Sequence, residues 1–305
     1  MNARFLYETQ FGRTALGGLC IILLYCVLAT GADAITRTFA EGFEAPQLFC
    51  FSGGLVTLFS IATLMFGATQ TSLRPQKPFP LAIRSAFFIC SSVFYFLAFR
   101  SLPFAEVFVF IALVPVFAAL LSGPILGEQV QLKSWIALAA GACGMLLLYP
   151  SGLEELTLAH LWAGSAAVCG AVSMVLARYI SRAEKNALLQ VLYPNLALCL
   201  VMAFVLPAVY RPMGMTEIAL IVSYAVLLFL ARWVLIIALT RMKAYVASLL
   251  INLQFVVMIA VGAILFGEIP SLTLVLGAFV IILAGAYLLF APAVRGPEPA
   301  MKPVG

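Results

Sequence analysis

Charge is scarce in this chain, and so are the residues that usually do chemistry in water. Of 305 residues, 17 are Lys or Arg and 12 are Asp or Glu, with Asp33 the sole aspartate and His160 the sole histidine. Charged residues make up 10% of the chain, against about 25% in average soluble domains. With 64% hydrophobic residues and a mean hydropathy of +1.13, too little polar surface is left to clothe a soluble fold of this length. One histidine leaves no metal-ligand set, so no metal site is expected, and His160 reads as an interfacial residue. The seven cysteines, Cys20, Cys26, Cys50, Cys90, Cys143, Cys169 and Cys199, lie inside apolar runs with no CxxC pair. That odd count fits neither a zinc site nor a disulfide framework, and they read as small apolar fillers. There is no HExxH, GxSxG or Walker motif, so no enzyme chemistry and no cofactor are expected. The net charge of +5 does not indicate nucleic acid.

What the chain has instead is long apolar runs. A membrane-crossing helix needs about 20 mostly apolar residues. Ten such runs are predicted near 15–35, 46–67, 81–100, 103–125, 134–150, 158–180, 188–209, 217–240, 244–266 and 272–291. Pro and Gly mark the short loops between them. The first run is followed by nine others and reads as a retained span rather than a signal peptide. Orientation follows the basic residues. With the N-terminus inside, Arg37, Arg100 and Arg211 fall outside, Arg232 falls within a span, and the other 13 of the 17 fall inside. Both termini are therefore expected in the cytoplasm.

The two halves resemble each other. Residues 98–128 align without gaps against residues 238–268 at a constant offset of 140, each ending in Gly-Glu (Gly127-Glu128 and Gly267-Glu268). Five spans per half is odd, so the second half must be inverted in the membrane. The expected fold is all-α integral membrane: ten transmembrane helices as two inverted five-helix repeats. The repeats are residues 15–150 and 158–291, with a flexible tail at 292–305. Inverted repeats around a midplane site are the architecture of secondary transporters.

The chain also resembles the drug/metabolite transporter superfamily, EamA type. The resemblance rests on Phe99-Arg100-Ser101-Leu102-Pro103-Phe104-Ala105, on Pro115, on Leu126-Gly127-Glu128 and on its echo Leu265-Phe266-Gly267-Glu268. It implies a bacterial inner-membrane metabolite carrier without an ATPase. Gly31-Ala32-Asp33 with Arg37, and Ile83-Arg84-Ser85, look most like a branch of proposed S-adenosylmethionine or riboflavin importers, whereas other branches export drugs or amino acids. One departure is that Gln47–Gly53 lacks the arginine many relatives carry there. A structural membrane protein without flux is the non-carrier alternative.

Arg232 is the most informative single residue. It sits inside Ile218–Leu239, where a guanidinium costs at least about 2.5–3.5 kcal/mol unless it meets a polar cavity or a partner. Polar stripes at helical spacing add Cys26, Thr30, Asp33 and Arg37; Arg84, Phe88, Ser91 and Tyr95; Trp162, Ser165, Cys169 and Ser173; and Tyr245, Ser248 and Asn252. Gln254 lies roughly opposite Asn252 on its helix. The substrate-binding or coupling candidates are Arg232, Asp33, Glu106, Tyr95, Asn252, Ser248, Ser91 and Arg84, with Pro115 and Pro194 as hinge candidates interrupting their spans. The expected partners are a small-molecule substrate and the lipid bilayer. Proton or exchange coupling, and monomer or homodimer, stay open at this point.

Overall fold

The structure is a computed structural model that describes residues 3–66, 73–111, 113–128, 135, 136, 139, 157–184, 186–241, 250, 251 and 253–267. Among the described residues there are helices and no strands: α1 (Ala3–Ala40), α2 (Ala45–Phe66), α3 (Pro78–Ser101), α4 (Phe104–Ile111), α5 (Val114–Leu126), α6 (Leu158–Ser181), α7 (Leu189–Val209), α8 (Met215–Arg241) and α9 (Gln254–Phe266). Six stretches are long and apolar enough to cross a membrane: Cys20–Ala40, Ala45–Phe66, Pro78–Ser101, Leu158–Ser181, Leu189–Val209 and Met215–Thr240. Helices suit such a setting because each backbone N–H and C=O is satisfied within its own segment. Their outward faces stay apolar, with Leu58, Met65, Phe66, Phe204 and Ile264 exposed, as lipid contact requires. Of the expected span near 134–150 only residues 135, 136 and 139 are described, the span near 272–291, the tail, Ser248 and Asn252 lie outside the described residues, and the span near 244–266 is described only in part.

Sequence punctuation accounts for most helix ends. Pro78 opens α3 directly after Lys77, and Leu102 turns extended before Pro103 closes the same span. Helices α5 and α9 both end on a left-handed glycine, Gly127 at φ 65° and Gly267 at φ 64°, a conformation only glycine adopts without strain. These two glycines lie 140 residues apart, as do the two helix starts, Val114 and Gln254.

The two prolines expected to interrupt their spans differ in outcome. The span near 103–125 is two helices, α4 and α5, divided just before Pro115. Proline has no N–H to give the carbonyl of Ile111. Yet α9 also begins afresh after a turn at Leu253, where no proline stands. The hydrogen bonds agree as well: Leu113 N–H meets Phe110 O at 3.0 Å, and Leu253 N–H meets Leu250 O at 3.0 Å. The break therefore belongs to the packing, and Pro115 is compatible with it. Pro194, by contrast, does not interrupt its span, because α7 runs on through it to Val209.

The strongest packing pairs are α3 with α6, α2 with α7 and α1 with α8. Small residues permit it. Ala163, Ala166, Ala167 and Ala171 are fully buried on α6, and Ser91 Oγ donates to Ala166 O at 2.9 Å across to α3. On α2, a side chain at Gly53 would come within 3.0 Å of the Asn195 carbonyl and 3.3 Å of Cys199 on α7. Gly53→Leu should therefore force α2 and α7 apart and lower the melting temperature in detergent, at an overpacking cost of about 1–3 kcal/mol. Gly54→Ala, whose Cβ would lie 3.5 Å from Cys199 Sγ, is the tolerated control. Equal melting of both variants would show that the close approach carries no weight.

Candidate functional site

A cavity of about 250 Å³ lies between α1, α3, α6 and α8, with single residues from α2, α4, α5 and α9 at its edges. Its walls follow the offset between the halves. On α3 they are Arg84, Phe88, Ser91, Ser92, Tyr95, Phe96 and Phe99, and on α8 they are Tyr224, Leu228, Ala231, Arg232, Leu235, Ile236 and Leu239. Each α8 residue stands 140 positions after its α3 counterpart. Ile111 and Val114 pair with Ile251 and Gln254 by the same step. On α1, Ala29, Ala32, Asp33 and Thr36 correspond to Gly170, Ser173, Met174 and Ala177 of α6 at an offset of 141. The backbone positions match, but the charges do not: Arg84 answers Tyr224, Arg232 answers Ser92, and Asp33 answers Met174. A near-symmetric frame thus encloses an asymmetric set of charges.

Five of the candidates read from the sequence meet in this cavity: Arg232, Asp33, Tyr95, Ser91 and Arg84. Arg232 Nη1 donates to Asn195 Oδ1 of α7, and its guanidinium carbon lies 4.0 Å from the centre of the Phe88 ring, within cation–π range. Arg84 is buried at 8% exposure. Its Nη1 donates to Gln190 O at 2.5 Å. Pro194 explains why that oxygen is available, since a proline four residues on has no N–H to occupy it. Pro194 therefore acts through the carbonyl it releases. Asp33 Oδ2 accepts from Gln254 Nε2 at 3.0 Å, joining α1 to α9. Among the described residues no carboxylate forms an ion pair with Arg84 or Arg232.

Glu106 does not line the cavity. It faces His160 Nε2 at 3.5 Å. That histidine packs inside the protein. It is buried at 5% exposure, and its Nδ1 accepts the Thr157 N–H at 3.0 Å, closing a capping box at the start of α6. Arg100 pairs with Glu44 at 2.7 Å, and Arg37 lies over the rings of Phe266 and Phe104 at 4.8 and 5.9 Å. At the far ends of α5, α6 and α8, Glu128 accepts from Arg182 at 2.8 Å and lies 3.5 Å from Arg178, whose Nη1 also donates to Leu239 O at 2.6 Å.

Sequence reasoning noted Gln254 without making it a candidate, and missed Asn195, Tyr25 and Tyr224. The offset of 140 could have found two of them, since it places Gln254 opposite Val114 and Tyr224 opposite Arg84.

Residues 16–149 match the EamA-like transporter family. A riboflavin transporter of Vibrio cholerae serotype O1 is 25% identical over 174 residues, which are 57% of this chain and 58% of that protein. The chain therefore matches little more than half the length of this relative. A protein of known crystal structure shares the fold, with a TM-score of 0.71 at 19% identity over 91% of this chain and 96% of the other. The matched family and this relative are both named as transporters.

Proposed function

We propose, from residues 16–149 being EamA-like, that this chain is a secondary-active carrier of a small organic metabolite, working by alternating access around the central cavity. The ten spans form two inverted five-helix repeats, 15–150 and 158–291, in an inner membrane with both termini cytoplasmic. The observation that carries this reading is the cavity wall itself: nine residue pairs at one offset, contributed by α3, α4 and α5 on one side and by α8 and the chain around α9 on the other. A site shared between two related halves is what rocking of one half against the other exposes alternately. The tie from Glu128 to Arg178 and Arg182 links the two halves beside the cavity, as a closed inner end would. A riboflavin-like solute is the substrate class the relative supports, an amino-acid derivative or S-adenosylmethionine-like solute is the class the sequence resemblance adds, and export of drugs or amino acids is the alternative.

Purified protein in proteoliposomes tests this. Uptake should saturate and show counterflow, in which internal unlabelled solute accelerates entry of labelled solute. Linear, non-saturating flux would mean a channel, and no flux from a solute library would mean a structural protein. Cysteines placed in the loops at 68–80 and 181–187 should label only from the cytoplasmic side, and those at 151–157 only from outside. The reverse at 151–157 would remove the inverted repeat.

A further inference from the structure

We propose that Arg84 and Arg232 form one anion subsite, so that the carried solute is an organic anion, a carboxylate or phosphate ester on a flat and largely apolar body. This rests on the carrier reading above and sharpens it to a substrate class. Both guanidiniums line the same cavity, one from α3 and one from α8. Holding two like charges together in a low-dielectric wall is costly. Neither cost is met by a protein carboxylate among the described residues.

What holds each arginine is neutral. Arg84 is fixed by the Gln190 carbonyl and Arg232 by the Asn195 amide oxygen. Both acceptors lie in one stretch of α7 around Pro194, so a single element aims both groups. A neutral acceptor fixes a guanidinium without cancelling its charge, and each fork keeps further N–H donors. Arg84 Nε is buried and has no hydrogen-bond partner, and it belongs to a residue only 8% exposed in the cavity wall. Tyr95 Oη, on the same face of α3, is a second buried polar atom without a partner. An oxyanion placed between the arginines would accept from both forks and turn their repulsion into attraction. The Phe88 ring under Arg232, with Phe49 and Phe96 in the same wall, offers an apolar face to the rest of the solute. The volume of about 250 Å³ lies below the range usual for drug-sized ligands, so the body is small.

The test is equilibrium binding to the full chain in lipid nanodiscs, using pairs of an anion and a neutral analogue on the same ring: phenylacetate against phenylacetamide, and phenyl phosphate against phenol. At least one anion should bind about tenfold or more tightly than its neutral partner, and the preferred pair tells carboxylate from phosphate. Arg84→Gln should bring that ratio close to one, while Arg84→Lys keeps part of it and the neutral partner binds as before. Equal binding of charged and neutral partners by the wild-type protein overturns the proposal, as does full anion preference in Arg84→Gln. The carrier reading fails separately: anion preference without flux in proteoliposomes leaves the subsite and removes the carrier. Saturable flux of the neutral amide with no anion preference does the opposite.

Discussion

Arg232→Leu should abolish transport while the protein still inserts, folds and elutes as the wild type does. The guanidinium is the one charge that α8 brings to the cavity wall, and its contacts, Asn195 Oδ1 and the Phe88 ring, are neutral. Removing it therefore leaves no buried carboxylate stranded among the described residues, which is the usual reason that loss of one ion-pair partner unfolds a protein. Two terms oppose each other. Asn195 loses a charge-assisted bond worth about 1.5–3 kcal/mol, and the membrane segment is relieved of an arginine costing about 2.5–3.5 kcal/mol at its centre. They nearly cancel, so thermal stability in detergent should stay the same or rise slightly. Arg232→Lys discriminates further. It keeps the charge but loses the planar fork that grips an oxyanion at two points. Losing one charged hydrogen bond of that size corresponds to about a ten- to hundredfold rise in the apparent KM, with maximal rate little changed. Transport at wild-type rates by both variants would reduce Arg232 to a tolerated residue. Inactivity with loss of folded protein would make its role structural.

How much of this was legible beforehand depends on which physical signal was followed. Hydrophobic run length found the six spans described in full, because the bilayer sets that length directly. The polar stripe on α3 was also found correctly: Arg84, Phe88, Ser91 and Tyr95 all line the cavity. On α1 the same reasoning drifted around the helix. The cavity face is Tyr25, Ala29, Ala32, Asp33 and Thr36, whereas the stripe chosen from polarity ran through Cys26, Thr30, Asp33 and Arg37 and shares only Asp33 with it. Cys26 Sγ lies 3.7 Å from Ile251 O in a helix contact, and Arg37 sits on Phe266 and Phe104. Within a membrane, polar atoms serve contacts between helices as often as cavities, so polarity alone does not separate the two faces. Asn195 was invisible for a related reason. It does not line the cavity, and its importance comes from orienting a residue that does. Pro194 was visible, but its consequence was not, because only the fold brings Arg84 to the carbonyl it frees.

Asp33→Asn should remove the response of transport to a pH gradient while leaving exchange at equal pH intact. Asp33 is the sole aspartate of the chain and lines the cavity on α1. Among the described residues it is held only by the Gln254 amide, at 3.0 Å. An ionised carboxylate is purely an acceptor, so Gln254 must present its NH2 to it. A proton on Asp33 adds a donor, and the pair can then bond in the reverse sense, with the amide oxygen accepting. That change falls on a contact between α1 and α9, helices from opposite halves of the chain, where a shift in one hydrogen bond can bias how the halves meet. Intramembrane carboxylates of this kind commonly mark proton relays. Asparagine keeps a side chain of nearly the same shape and can bond Gln254, but it cannot take up or release the proton. The measurement is accumulation of labelled solute in proteoliposomes with an acidic outside and a neutral inside, set beside counterflow with both sides equal. Wild-type protein should concentrate the solute in the first case and exchange it in both. Asp33→Asn should lose the concentrative phase and keep exchange, and Glu106→Gln, whose carboxylate faces His160 away from the cavity wall, should keep both. Concentrative uptake by Asp33→Asn equal to the wild type would place the coupling step elsewhere. Loss of exchange together with accumulation would make Asp33 a substrate contact rather than the proton carrier.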